Sequence, residues 1–162
     1  MIRVAILTVS DSAAAGKRED LSGPALENRC RELNWPVIQR DVVPDEKKAV
    51  SERLKSWADD SMATLILTTG GTGVAPRDVT PEATRDVLDR EIPGLAELMR
   101  MKGLEQTKFA AVSRGMAGNR GNALIVNLPG SPKGAVFSLS TIEGLIPHVI
   151  DLLAGKTEHC VK

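Results

Sequence analysis

Aromatic residues are almost absent from this chain, which contains two tryptophans, two phenylalanines and no tyrosine. Proteins that bind single-stranded nucleic acids stack successive bases on aromatic side chains. The scarcity of rings therefore argues against a base-stacking platform. Hydrophobic residues still make up 42% of the chain, so the core is expected to consist of aliphatic side chains.

An excess of one charge is also lacking, because Lys+Arg and Asp+Glu both number 21. General nucleic-acid binding requires a basic excess, so the balance argues against it and leaves only a local basic pocket. No apolar run approaches the ~20 residues of a membrane span. Arg3 interrupts an apolar start that is too short for a signal peptide. A cytoplasmic location is therefore expected.

Cysteine and histidine are scarce, with two of each. Cys30 and Cys160 form no C-x-x-C pair, so neither a zinc site nor a disulfide framework is indicated. We expect Cys30 to belong to the buried face of a helix. His148 and His159 fall in the last helix and the tail, and we expect neither to be catalytic. The sequence therefore disfavours a hydrolytic triad.

The most informative stretch is LILTTGGTGVAPRDVTPEA at positions 65–83. Its first five residues predict a buried strand, and a helix is predicted from Thr80 with proline at its first position. Between them, Gly70–Gly73 allow positive φ angles and close approach of a ligand. Loop amides, a helix N-terminus and Arg77 suit a phosphate group. Asp78 suits the same site only if a cation such as Mg²⁺ lies between acid and phosphate.

Two common glycine loops do not fit this stretch. The P-loop needs a Lys-Ser/Thr pair after its last glycine, and the dinucleotide fingerprint needs a glycine where Pro76 stands. Taken alone, the segment could also be a structural turn with a threonine cap.

Strands and helices alternate along the chain, with strands predicted at 3–10, 37–43, 65–69 and 123–128. The weaker apolar alternation of the second strand is typical of a strand near a sheet edge. The order predicts an α/β fold with three layers, in which helices cover a mostly parallel central sheet. We expect a single domain over 1–162, with the last residues as a short tail. Ligands of such sheets bind beyond the carboxyl ends of the strands, so the following loops should meet there.

Local features give further expectations. Asp45 is a candidate helix N-cap, and 108–112 is a short, strand-like piece. A second glycine-rich loop, which carries two arginines, is expected at 113–121. Ser131 should cap the last helix, which Pro147 should kink or split.

Acids, hydroxyls and cations should gather at the predicted edge beside the glycine amides. These side chains are Asp11, Asp45, Asp78, Ser10, Ser12, Thr72, Ser113, Ser131, Arg77, Arg114, Arg120 and Lys133. Amides, cations and metal-holding carboxylates are typical of phosphoryl or nucleotidyl transfer, where catalysis is mostly positioning and charge neutralisation. Any one acid could instead be only a helix cap. Because all three acids are expected at the same edge of the sheet, a functional role is favoured over three separate helix caps.

Five motifs resemble those of a known family. They are TVSDS at 8–12, VPDE at 43–46, LTTGGTGVAPRDVTPEA at 67–83, SRGMAG at 113–118 and NLPGSPKG at 127–134. In this order, over nearly the whole chain, they are similar to the molybdopterin adenylyltransferases, which include MogA-type enzymes and the related G domains of plants and animals. The resemblance implies a three-layer α/β fold, usually a homotrimer. It also implies the reaction of ATP with molybdopterin, in the presence of Mg²⁺, to give adenylyl-molybdopterin and pyrophosphate, and a MoeA-type molybdate-inserting partner.

The resemblance further implies roles for individual residues. Asp45 and Asp78 are expected to be essential acids that hold Mg²⁺ or orient substrate phosphates. Residues expected to bind molybdopterin or nucleotide are Ser10, Asp11, Ser12, Gly70, Gly71, Thr72, Gly73, Arg77, Ser113, Arg114, Pro129, Gly130 and Ser131. Within this set, the glycine loop would cradle phosphate and the Ser113-Arg114 pair would contact molybdopterin.

Two alternatives stay open. The chain could be a MoaB-type relative with the same fold, which binds pterin or replaces the MogA-type enzyme and often forms hexamers. It could also be a pterin-binding or scaffold module without turnover. A pure scaffold would not need both Asp45 and Asp78, and pyrophosphate release would distinguish an enzyme from a module.

Overall fold

The computed structural model describes residues 1–60 and 62–157. The strands are β1 (Val4–Val9), β2 (Val37–Val43), β3 (Leu65–Thr69), β4 (Arg90–Glu91), β5 (Ala117–Arg120) and β6 (Ala123–Leu128). The helices are α1 (Asp11–Ala14), α2 (Ser22–Glu32), α3 (Lys47–Asp59), α4 (Thr80–Arg85), α5 (Pro93–Leu104), α6 (Pro132–Ile142) and α7 (Ile146–Leu153). A 3-10 helix covers Lys108–Val112. The expectations for His159 and Cys160 lie outside the described residues.

All six strands form one sheet in the order β2-β1-β3-β6-β5-β4. The first four strands of this order are parallel to one another. At the other end of the sheet, β5 pairs antiparallel with β6, and β4 pairs antiparallel with β5. The α/β fold with a mostly parallel sheet is therefore confirmed, as is the edge position of β2. Because the four parallel strands point the same way, their carboxyl ends share one edge of the sheet.

The core consists of two aliphatic layers, one on each face of the sheet. Successive residues of β1 alternate between them, with Ile6 on one side and Leu7 on the other. The first layer packs on α2, α5, α6 and α7, and the second on α3 and α4. Cys30 of α2 is fully buried in the first layer, as predicted. Burial raises the pKa of its thiol to about 12, which leaves it unreactive.

Three local predictions are wrong. Asp45 does not cap α3, since its carboxylate accepts instead from the backbone N–H of Asp11. The piece at 108–112 is a 3-10 helix that begins after a Thr107 cap. Within the predicted loop at 113–121, residues Ala117–Arg120 form strand β5, which pairs with β6. Gly118 fits there because a Cβ at this position would overlap the carbonyl oxygen of Arg90.

The last helical segment is divided, as Pro147 predicts. Ser131 caps α6 by accepting from the N–H of Gly134 at 3.1 Å, and α7 begins afresh beside Pro147. The axes of α6 and α7 differ by 66°. Among the described residues, no single helix is long and apolar enough to cross a membrane, and only this bent pair would reach that length together. His148 lies exposed on α7.

Candidate functional site

The loops that follow β1, β2, β3 and β6 meet at the carboxyl edge of the sheet, as predicted. The N–H of Gly70 donates to the carbonyl of Leu128 at 3.2 Å, and the hydroxyl of Thr69 donates to the carbonyl of Pro129 at 2.7 Å. A Cβ on Gly130 would lie 3.2 Å from the Cα of Gly70. The loops after β3 and β6 therefore touch backbone to backbone.

Asp11 and Asp45 tie the ends of β1 and β2 together. The N–H of Asp11 donates to Asp45 Oδ2 at 2.8 Å, and the N–H of Asp45 donates to Asp11 Oδ1 at 3.0 Å. Arg77 reaches across from the glycine loop and donates to both carboxylate oxygens of Asp11, at 2.6 and 2.9 Å. Ser10, the cap of α1, lies next to this pair, with its hydroxyl 3.2 Å from that of Ser12.

The pKa values of Asp11 and Asp45 are shifted in opposite directions. Hydrogen bonds from Arg77 hold the pKa of Asp11 below its ordinary value. Burial raises the pKa of Asp45, and the neighbouring charges of Asp11 and Asp78 raise it further. Asp45 thus sits in an excess of negative charge that an arriving cation would relieve.

Asp45 and Asp78 could hold Mg²⁺ only together with further ligands that the described part of the chain does not supply at this place. Among the described residues there is no group of three or more His, Cys, Asp or Glu that could hold a metal by itself. Mg²⁺ commonly binds one or two carboxylates together with substrate phosphates. Asp78 Oδ2 accepts from the N–H of Ala75 at 2.9 Å, and its other oxygen has no partner among the described residues. The two acids therefore suit a metal that arrives with a polyphosphate.

The raised pKa of Asp45 predicts a distinctive pH dependence of stability. The folded state binds this proton more tightly than the unfolded state, so ionisation of Asp45 destabilises the fold as pH rises from 3.8 through the raised pKa. Asp45→Asn removes this cost. The variant should gain Tm over the wild type at neutral pH, and the gain should shrink below about pH 4.

Asp11→Asn provides the opposite control. The pKa of Asp11 is lowered, so its ionised form stabilises the fold above 3.8 and this contribution fades as pH falls through the lowered pKa. Thermal unfolding of the three proteins across this pH range, followed by circular dichroism, makes the comparison. Parallel Tm curves for the wild type and Asp45→Asn would contradict the electrostatic assignment.

The glycine loop presents unpaired backbone amides. Gly70 and Gly71 have φ angles of +100° and +67°, which other residues rarely adopt. In the described part of the chain, the N–H groups of Gly71, Thr72, Gly73 and Val74 have no protein acceptor. Successive free amides in such a loop form a concave site for an anion.

Arg114 holds this loop in place. Its Nε donates to the carbonyl of Gly73 at 2.6 Å, one terminal nitrogen donates to the carbonyl of Asp78 at 2.7 Å, and the other pairs with Glu82. The backbone N–H of Arg114 also donates to the carbonyl of Thr72 at 2.8 Å. The guanidinium is thus occupied by the protein, and its contacts indicate that it positions the loop.

Two cavities flank the contact between the loops. The larger, of about 480 Å³, is mostly apolar and includes Thr72, Ser113, Pro129, Ser131 and the exposed ring of Phe109 in its lining. The smaller, of about 160 Å³, lies on the other side of Gly70 and Gly130. Polar and charged side chains in the lining of this smaller cavity are those of Thr8, Ser10, Arg18, Glu19, Asp20, Ser22 and Thr69. A ligand with two dissimilar halves could therefore span the glycine loop.

One predicted cation lies elsewhere, and several positioning residues were not predicted. Arg120 pairs with Asp59 at 2.7 Å near the amino ends of the parallel strands, far from this edge. Glu82 and Asn127 were not singled out, and Thr80 was expected only to begin a helix. Asn127 carried a signal, because it is a polar residue inside the apolar run ALIVNL.

Comparisons with known proteins show which family this chain resembles. Residues 5–148 match the family described as "Probable molybdopterin binding domain". The molybdopterin adenylyltransferase of Helicobacter pylori (strain J99) is 41% identical over 156 residues, which cover 95% of this chain and 89% of that protein. The crystal structure of the molybdopterin biosynthesis enzyme MoaB from Thermus thermophilus is 52% identical, with a TM-score of 0.90, covering 96% of this chain and 98% of that one.

A longer relative is similar to this chain over part of its length. The molybdenum cofactor synthesis protein cinnamon of Drosophila melanogaster is 45% identical over 154 residues, which cover 94% of this chain and 26% of that protein. This chain thus spans about a quarter of cinnamon and most of the bacterial relative. By these matches, the chain belongs to the molybdopterin adenylyltransferase family, within the wider group of molybdopterin-binding domains.

Proposed function

We propose that this protein transfers AMP from ATP to the terminal phosphate of molybdopterin and releases pyrophosphate. The observation that carries the proposal is the row of free amides from Gly71 to Val74 beside two carboxylates at one sheet edge. Amides and a metal held by carboxylates neutralise the charge of two polyanions that must approach each other. The identity to adenylyltransferases supports the same reaction.

The chemistry asks little of a general base. An oxygen of the molybdopterin phosphate attacks the α-phosphorus of ATP, the bond from that phosphorus to the bridging oxygen breaks, and pyrophosphate leaves with the electron pair. A phosphate monoester is largely dianionic at neutral pH, since its second pKa is about 6. The nucleophile therefore needs no proton removed, which agrees with a site built from Asp45, Asp78 and backbone amides.

The residues at this edge of the sheet would have three roles, which are to hold the metal, to orient phosphates and to bind the two substrates. Asp45 and Asp78 would hold Mg²⁺, which neutralises phosphate charge when bound. The Gly70–Gly73 loop would orient the nucleotide phosphates. Ser10, Ser12, Asp11 and Arg77 would bind on the side of β1, while Ser113 and the Pro129–Ser131 loop would bind on the side of the larger cavity. Arg114 would act by fixing the loop. These assignments are predictions.

The resemblance of the five motifs also supports a homotrimer and delivery of the product to a MoeA-type molybdate-inserting protein. The proposals of a single domain over 1–162 and of a cytoplasmic location rest on the length and hydropathy of the sequence. A second candidate role is that of MoaB, because a MoaB structure is 52% identical to this chain. Sedimentation or light scattering would separate a trimer from a hexamer.

Pyrophosphate release by the purified chain with molybdopterin, ATP and Mg²⁺ tests the function. We expect release that requires all three additions and a product with the mass of adenylyl-molybdopterin. Omission of molybdopterin controls for simple ATP hydrolysis. If folded protein binds molybdopterin but releases no pyrophosphate, the chain is a binding module and the enzymatic proposal is wrong.

A further inference from the structure

A chain of buried polar side chains runs beneath the glycine loop. Thr68, Thr80 and Thr84 are 0% exposed and Asn127 is 2% exposed, although they lie between the aliphatic layers and the site. Among the described residues, no buried side-chain nitrogen or oxygen lacks a hydrogen-bond partner. Fully satisfied networks of this kind make their surroundings rigid.

At one end of this chain of polar side chains, Thr80 holds Gly70 and Gly71, the two glycines with positive φ angles. Its hydroxyl donates to the carbonyl of Gly70 at 2.9 Å, and its backbone N–H donates to the carbonyl of Gly71 at 3.1 Å. In a trans peptide the C=O and the following N–H point in opposite directions. Because both carbonyls face Thr80, the N–H groups of Gly71 and Thr72 face away from it.

At the other end, Asn127 reaches the segment that contains Ser113. Thr84 donates to the carbonyl of Thr80 at 2.8 Å and accepts from Asn127 Nδ2 at 2.9 Å. Asn127 Oδ1 accepts from the N–H of Met116 at 3.2 Å, two residues after Arg114. The same amide nitrogen of Asn127 also donates to Thr68 at 3.0 Å.

We propose that Thr80 and Thr84 are positioning residues that, through Asn127, hold the anion-binding amides and the Ser113–Gly115 segment in one fixed relation. The inference rests on the proposed function for the identity of the ligands. The route Met116–Asn127–Thr84–Thr80–Gly70 joins the two sides of the site without touching solvent. Loss of one hydrogen bond of this route should make the positions of the Gly71 to Val74 amides less fixed, while the strands of the sheet stay paired.

Thr84→Val tests this route, because it removes both bonds of the hydroxyl and nearly keeps the shape. We expect the Kd for Mg²⁺–ATP, measured by calorimetry without molybdopterin, to rise about tenfold, and kcat/KM for pyrophosphate release to fall by a similar factor. Thr84→Ser keeps the hydroxyl and should stay within about threefold of the wild type. Thr80→Val removes the hydrogen bond to the carbonyl of Gly70 itself, so a folded Thr80→Val variant should show a larger rise in Kd than Thr84→Val.

Thr68→Val is the matched control. Thr68 has the same burial and bonds to the same Asn127, but it lies off the route to the glycine loop. It should lower Tm by less than Thr84→Val, because it removes one hydrogen bond and not two, while changing the Kd for Mg²⁺–ATP by less than about threefold. Equal changes in Kd for the two valine variants would overturn the positioning role.

The two proposals fail in different ways. Wild-type protein that binds Mg²⁺–ATP but releases no pyrophosphate contradicts only the proposed reaction, and the comparison of Kd values still decides the role of Thr84. Wild-type protein that binds no Mg²⁺–ATP overturns the positioning role together with the nucleotide site.

Discussion

Asp78→Asn is expected to lower pyrophosphate release by about 100-fold or more, because loss of one preorganised electrostatic partner of a transferring group typically has this effect. The asparagine oxygen can still accept from the N–H of Ala75, so the loop should keep its shape. The lost charge is the only intended change. Initial rates at saturating ATP and molybdopterin, over a range of Mg²⁺ concentrations, measure it.

Asp60→Asn serves as the control for this substitution. Asp60 is an exposed acid directly after α3, at the opposite edge of the sheet. Its replacement should leave the rate within about twofold of the wild type. If release persists in Asp78→Asn, Asp78 is not essential and Asp45 becomes the acid to test.

Gly70→Ala should be the most destabilising single substitution at the site. Gly70 has a φ of +100°, and an added Cβ would overlap the backbone carbonyl oxygen of Val9 in the central strand β1. Backbone strain alone costs on the order of 1–3 kcal/mol. With the overlap, we expect a loss of about 3 kcal/mol or more in the free energy of unfolding and a Tm lower by about 6–12 °C.

Gly121→Ala separates the two causes. Gly121 also has a positive φ, +52°, but a Cβ built there meets nothing within 4 Å. Its substitution should cost only about 1 kcal/mol from backbone strain. Urea unfolding followed by tryptophan fluorescence would report both variants. Similar losses would mean that contact with Val9 does not restrict the loop.

The sequence was most informative where a single physical cause dominated. Apolar runs placed β1, β3 and β6 to within about one residue of their observed ends, because burial on both faces leaves few polar positions. The bounds of β2 followed from its weaker alternation, which is typical of a strand at a sheet edge. The rule that ligands bind at the carboxyl ends then brought Ser10, Asp11, Asp45 and the glycine loop together correctly. Caps and breaks at Ser131 and Pro147 followed from local chemistry.

The antiparallel end of the sheet escaped prediction for a tertiary reason. The residues of β5, Ala-Gly-Asn-Arg, have little preference for strand, and they become one by pairing with β6. Since β5 runs antiparallel, Ala117 lies opposite Val126 near the site, whereas Arg120 lies opposite Ala123 at the far edge. Two arginines only six positions apart therefore reach opposite ends of the molecule.

The position of β6 has a consequence for synthesis of the chain on the ribosome. β6 pairs with β3 in the middle of the sheet, yet Ala123 is made long after Thr69. At about 5–20 residues per second, β3 exposes an open hydrogen-bonding edge for some seconds. Stalled nascent chains that end before Ala123 should therefore be cut by protease within β3, whereas the released chain of 162 residues should be protected.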